Sequence, residues 1–147
     1  MYHHIKNLFQ ADFVNYEGVR RINIYLMRLL YVLMFLFLGK DAWTAILTHN
    51  GAWTSYNAMV WSIWAAFATL AGLGILHPLK MIPILLLEIF YKVLWLILVA
   101  YPLIKADKLA GSSAEEMTYV FLPVLIPIVA IPWAYTFRTF VLKTRKA

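Results

Sequence analysis

The 147-residue sequence predicts an all-α fold: a polytopic membrane protein built as a four-transmembrane-helix bundle, with N-in/C-in topology and a short N-terminal amphipathic interfacial helix. Three observations carry that prediction. Hydrophobic residues make up 63% of the chain and charged residues 14%, against roughly 25% charged in an average soluble domain. Residues 42–79 and 117–137 contain no Asp, Glu, Lys or Arg at all. The remaining Lys and Arg residues fall mainly on one set of connections, as expected of a chain oriented by its membrane.

The elements follow in order. Ile5, Leu8, Phe9, Phe13 and Tyr16 recur at helical spacing among Lys6, Asn7, Gln10 and Asp12, so residues 1–19 read as a helix lying in the interface. The first 21 residues lack the continuous apolar core of a signal peptide, and the first span is expected to serve as its own targeting signal. A membrane helix needs about 20 mostly apolar residues. Four segments meet that requirement, at about residues 22–41, 57–76, 81–104 and 118–137, forming a single domain over 1–147.

With the N-terminus inside, Lys6, Arg20, Arg21, Lys80, Arg138, Lys143, Arg145 and Lys146 face the cytoplasm, while Lys40, Lys105 and Lys108 face outward. Eight basic residues against three set both termini inside. The net charge of +6 is therefore mostly a topology signal, and its division among short loops argues against nucleic acid as a partner.

The connections have their own character. Little more than His77, Pro78, Leu79 and Lys80 joins the second and third spans, which must then be adjacent and antiparallel. The first outer loop, about residues 41–56, carries Trp43 and Trp53 and is expected at headgroup level. The second, residues 105–116, contains Gly111, Ser112 and Ser113 and reads as a solvated linker. Ala65, Ala68 and Gly72 give the second span a small-residue packing surface.

The fourth span carries Pro123, Pro127 and Pro132. Each removes a backbone donor and frees a carbonyl four residues earlier, at Tyr119, Pro123 and Ile128, so kinks are expected. The freed carbonyls can serve a ligand or cation, or the bends can serve packing alone.

Three charges lie within the spans: Arg28 in the first, Glu88 and Lys92 in the third. Arg28 follows Arg21 by seven residues and Glu88 follows Lys80 by eight, which at about 1.5 Å per residue puts both near 11 Å from their basic anchors. Lys92 stands four residues beyond Glu88, the favourable order for an ion pair on a helix. An unpaired charge at the bilayer centre costs at least about 2.5 kcal/mol, so these side chains should turn inward and meet. Glu88 is expected to bridge Arg28 and Lys92, with Tyr31 and Tyr91 as hydrogen-bond partners. Two roles stay open: a structural clasp between helices, or a polar pocket for a lipid phosphate, a quinone oxygen or a carboxylate.

The absence of Cys excludes disulfides, thiolate metal sites, iron–sulfur clusters and a Cys nucleophile. His3, His4, His49 and His77 all fall in or beside loops, where they favour neither a haem nor a metal site. No nucleophile–base spacing or phosphate loop is present, so no catalytic residue is assigned and an enzyme is the minority reading.

The segment His77-Pro78-Leu79-Lys80-Met81-Ile82-Pro83, with Glu88, Tyr91-Lys92 and Trp95-Leu96, resembles the third-helix region of a group of uncharacterised bacterial four-helix membrane proteins. Arg28, the Gly39-Lys40 helix ending and Gly72-Leu73-Gly74 extend the resemblance over residues 26–137 to the DoxX-like proteins. Some of those are small inner-membrane subunits associated with quinone-linked oxidation of sulfur compounds or with protection from oxidants. The resemblance implies a bacterial inner-membrane accessory protein. The expected function is a small accessory or scaffold subunit holding a lipid or quinone-like ligand, with membrane lipids, a larger membrane complex or further copies of itself as partners. A small oligomeric transporter or channel, and a membrane-embedded lipid- or quinone-modifying enzyme, are the alternatives.

Overall fold

A computed structural model describes residues 8–142. The chain begins with a tiny antiparallel hairpin, β1 (Ala11–Asp12) and β2 (Val19–Arg20). Three long apolar helices follow: α1 (Arg21–Leu47), α2 (Ser55–Leu76) and α3 (Ile82–Lys105). The fourth apolar segment is broken into α4 (Glu115–Ala130) and α5 (Trp133–Val141), bent by 75°. Three helices are thus long and apolar enough to cross a membrane, and four if the bent pair is one span.

Among the described residues, the hairpin replaces the expected interfacial helix from Ala11 onward. Asp12 Oδ1 accepts the backbone N–H groups of Val14 and Asn15 at 3.1 and 2.9 Å, an Asx turn that takes donors a helix would need. Glu17 and Gly18 then adopt positive φ angles of 52° and 84°, which reverse the chain. Phe13 is left exposed rather than on a buried helical face. Asp12 Oδ2 receives the Arg21 Nε–H at 2.8 Å and pins the hairpin to the start of α1. His3, His4, Ile5, Lys6, Asn7, Lys143, Arg145 and Lys146 lie outside the described residues.

Two further boundaries differ from the sequence reading. Residues 41–47, expected in the first outer loop, continue α1 by two turns, and only 48–54 connect it to α2. In that connection His49 stacks on Trp53 with ring centres 3.5 Å apart. At the other junction, Glu115 and Glu116 begin α4, where carboxylates complement the helix dipole.

Local chemistry explains the remaining ends. Thr54 caps α2 by accepting the Asn57 N–H at 3.4 Å. Pro78 forbids helical geometry at His77, which ends α2, and Pro83 sits in the first turn of α3, where a missing donor costs nothing. At Pro132 the preceding Ile131 is driven to an extended conformation, and the helix breaks there. Pro123 instead lies in a single 3-10 turn, Leu122–Val124, and Pro127 is carried within a helical turn.

The 75° break is held by side chains. The Trp133 indole N–H donates to the Ile128 carbonyl at 2.8 Å, and the Asn23 amide donates to the Ala130 carbonyl at 2.9 Å. Both carbonyls would otherwise be left without partners at a helix end. The core sits at this end of the bundle, where Ile24, Met27, Tyr31, Ile82, Leu85 and Ala130 are fully buried. Tyr31 packs so closely on α2 that any Cβ at Gly74 would overlap its ring.

Candidate ligand site

Glu88 and Lys92 meet as their spacing predicts. Lys92 Nζ lies 2.7 Å from Glu88 Oε1, and the two side chains are 15% and 7% exposed. Lys92 Nζ also stands 5.7 Å from the centre of the Phe121 ring, where the aromatic face favours a cation. Glu88 Oε2 is buried and has no hydrogen-bond partner among the described residues.

Arg28 does not join the pair. It forms no ion pair or hydrogen bond among the described residues, and its Nε is buried without a partner. The expected Arg28–Glu88–Lys92 bridge is therefore reduced to Glu88–Lys92. Leu30 and Met34 of α1 line the same cavity as Glu88, whereas Arg28 does not.

Neither tyrosine hydrogen-bonds Glu88. The Tyr31 hydroxyl donates to the Pro78 carbonyl at 3.2 Å and ties α1 to the turn between α2 and α3. Tyr91 uses its ring, packing edge-on against Phe67 and Phe121 at 6.1 and 5.6 Å between centres.

Beside the ion pair lies a cavity of about 630 Å³. Leu30 of α1, Glu88 of α3 and Pro127 of α4 mark its end nearest the chain termini; Asp41, Ser113 and Glu116 mark the other end. From Leu30 to Asp41 is eleven residues, about 16 Å along the helix. The walls between are apolar and aromatic, with Phe37, Trp64, Phe67, Tyr91 and Phe121 among them. Leu33 and Phe37 of α1 and Val120 and Ile126 of α4 both line the cavity and reach the outer surface, so it opens sideways between these helices.

The course of α1 creates this space. At the termini end, Asn23 binds α1 to α4. Toward Leu47, α1 leans on α2: a Cβ at Gly39 would lie 3.7 Å from the Ala68 methyl, and the Trp43 indole donates to Thr69 Oγ1 at 3.1 Å. Met34–Leu38 is a π-helical turn, and Met34, Phe37 and Leu38 from it all line the cavity.

Sequence reasoning located the pair and left a pocket beside it as one of two readings, without the residues that wall it. Phe121, Trp64, Asp41 and Glu116 carry no motif, and only the path of α4 against α1 brings them together. Asn23 and Trp133 were equally silent, although a polar residue facing the proline-rich span is the signal that fits their role. Among the described residues, no three His, Asp or Glu side chains converge as metal ligands. No family model, curated protein or solved structure matches the chain.

Proposed function

We propose that this chain is an accessory or scaffold protein of the bacterial inner membrane that holds an amphipathic ligand, a lipid or a quinone-like molecule, between α1, α3 and α4. In this reading the bent α4–α5 pair is the fourth span, and both termini are cytoplasmic, which the excess of Lys and Arg on that side supports. The DoxX-like resemblance supports the bacterial placement. The single observation that carries the ligand reading is the cavity itself: about 630 Å³, apolar-walled, open toward lipid, with a buried ion pair at one end. A channel through the cluster has less behind it, because fully buried Ile24, Met27, Tyr31, Ile82 and Leu85 fill the bundle on the termini side of the pair.

The test is extraction of the full chain from its native membrane in a mild detergent, followed by mass spectrometry of bound small molecules. One amphiphile should be retained at close to one per chain. Val120→Trp, which pushes an indole into the cavity from its open side, should expel it without unfolding the protein. Native protein that carries no amphiphile, or a variant that retains it equally, would sink this reading.

A further inference from the structure

A second recess lies at the termini end and shares no lining residue with the chamber. It measures about 360 Å³. Glu17 and Arg20 of the hairpin and Asn23 of α1 form one wall, and Trp133 and Arg138 of α5 form the other. Three hydrogen bonds fix these walls. Arg21 Nε–H donates to Asp12 Oδ2 at 2.8 Å and holds the hairpin on α1; the Asn23 amide donates to the Ala130 carbonyl at 2.9 Å and holds α1 on the end of α4; the Trp133 indole donates to the Ile128 carbonyl at 2.8 Å and sets the turn into α5. The charges of the recess are not compensated in this way. Among the described residues Arg21 has a carboxylate partner, whereas Arg20, Arg138 and Glu17 form no ion pair. Residues 1–7 and 143–147 contain no Asp or Glu and add Lys6, Lys143, Arg145 and Lys146, so the ends of the chain offer the two arginines no carboxylate side chain. Two arginines against one glutamate leave the recess with one excess positive charge.

We propose that this recess holds the head of an anionic phospholipid from the leaflet on the termini side, with its phosphodiester between Arg20 and Arg138. A guanidinium presents a planar set of donors that matches phosphate oxygens, and the single negative charge of the phosphodiester cancels the excess of the recess. A choline or ethanolamine head brings a cation of its own and leaves that excess in place. Ligand sites begin at about 300 Å³, so the recess has room for a headgroup and not for acyl chains. The elements that carry the two arginines also supply the apolar surroundings. Phe13 and Val14 of the hairpin are exposed, as are Trp133, Phe137 and Phe140 of α5. Large apolar and aromatic side chains beside basic ones suit the boundary between headgroups and acyl chains, which makes the source of the phosphate a lipid rather than the free anion.

The test offers dioleoyl phosphatidylglycerol, phosphatidylethanolamine and phosphatidylcholine to the full chain, stripped of endogenous lipid in a neutral detergent, and reads retention by native mass spectrometry. Phosphatidylglycerol should be retained at least about tenfold more tightly than either zwitterionic lipid, the equivalent of one hydrogen bond to a charged group. Arg20→Gln and Arg138→Gln should each remove that preference. Lys80→Gln takes the same charge from the same side of the bundle without touching the recess, and should weaken phosphatidylglycerol by less than about fivefold, the diffuse pull of one basic side chain at an anionic surface. Val120→Trp, which fills the chamber, should leave the preference intact, so the two sites fail or survive separately. Equal retention of the three lipids by the native chain would overturn the proposal, and that comparison needs no variant to fold. Equal losses from Lys80→Gln and the arginine variants would overturn it in favour of diffuse surface charge. Displacement of phosphatidylglycerol by an equal concentration of inorganic phosphate or glycerol 3-phosphate would overturn the lipid source.

Discussion

The two ends of the bundle are made from the same apolar residue types and behave differently. At the termini end, Tyr31 fills the space left by Gly74, Asn23 closes the gap between α1 and α4, and the core residues lose all contact with the outside. At the other end, small residues and Trp43 draw α1 onto α2, and the separation from α4 leaves a chamber with aromatic edges. Apolar composition therefore does not determine packing here. Where α1 leans does, and the leaning follows from Gly39, Ala68 and the Trp43–Thr69 hydrogen bond at one end and from Asn23 at the other. One end is closed by its core and the other encloses a cavity.

The largest break in that contrast should come from Tyr31→Ala. Removing a fully buried aromatic ring from a tight contact should cost about 4 kcal/mol, read as equilibrium unfolding in mixed micelles. Tyr31→Phe, which deletes only the hydrogen bond to Pro78, should cost about 1 kcal/mol. Equal losses from the two variants would show that the hydroxyl, not ring packing, secures this end.

A somewhat smaller effect is expected where the chamber meets the core. Lys92→Met leaves the buried Glu88 carboxylate without its cation and should cost about 3 kcal/mol. Replacing both residues by Leu should recover most of that loss, since no charge is then stranded. Arg28 supplies the control. A double-mutant cycle between Arg28→Ala and Glu88→Ala should give a coupling below about 0.5 kcal/mol, because the two side chains are not partners. Coupling of 1 kcal/mol or more would restore the three-residue clasp expected from the sequence.

That last contrast shows what a sequence can and cannot convey about such a protein. The apolar stretches were legible because span length is set by the bilayer, although α1 runs two turns past its expected end and the fourth stretch is broken. The Glu88–Lys92 pair was legible because four residues bring side chains together on any helix. Arg28 was not placed correctly because counting from an anchor fixes depth and leaves direction open, and no ion pair joins it to Glu88 among the described residues. The break at Pro132 was legible in kind, since a proline restricts its predecessor, but three prolines offered themselves and only the one preceded by an extended Ile131 bends the chain by 75°. A pocket beside the pair was one of two open readings, but its extent and its aromatic walls were not legible: they depend on the relative lean of α1 and α4, for which no local pattern exists.

The smallest expected effect lies outside the spans, at the hairpin, where the sequence reading of a helix failed. Hydrogen bonds from the Asn15 backbone and side chain, and then from Arg21, lower the Asp12 carboxyl from its usual 3.8 to about 2. A carboxyl whose value is depressed on folding adds stability above its unfolded value and loses it as the pH falls through the folded one. The Asx turn and the tie to Arg21 should therefore be intact at pH 5 and weaken progressively between about pH 4 and pH 2. Asp12 belongs to the hairpin, outside the long helices, so the loss should stay local: faster amide hydrogen exchange at Val14, Asn15 and Gly18, with α1 to α3 unchanged. Asp12→Asn keeps a side-chain oxygen for the turn but gives up the charge, and should abolish the pH dependence while retaining much of the protection. If protection over residues 11–20 were instead the same at pH 2 and pH 5, the carboxylate would not be what turns this segment from a helix into a hairpin.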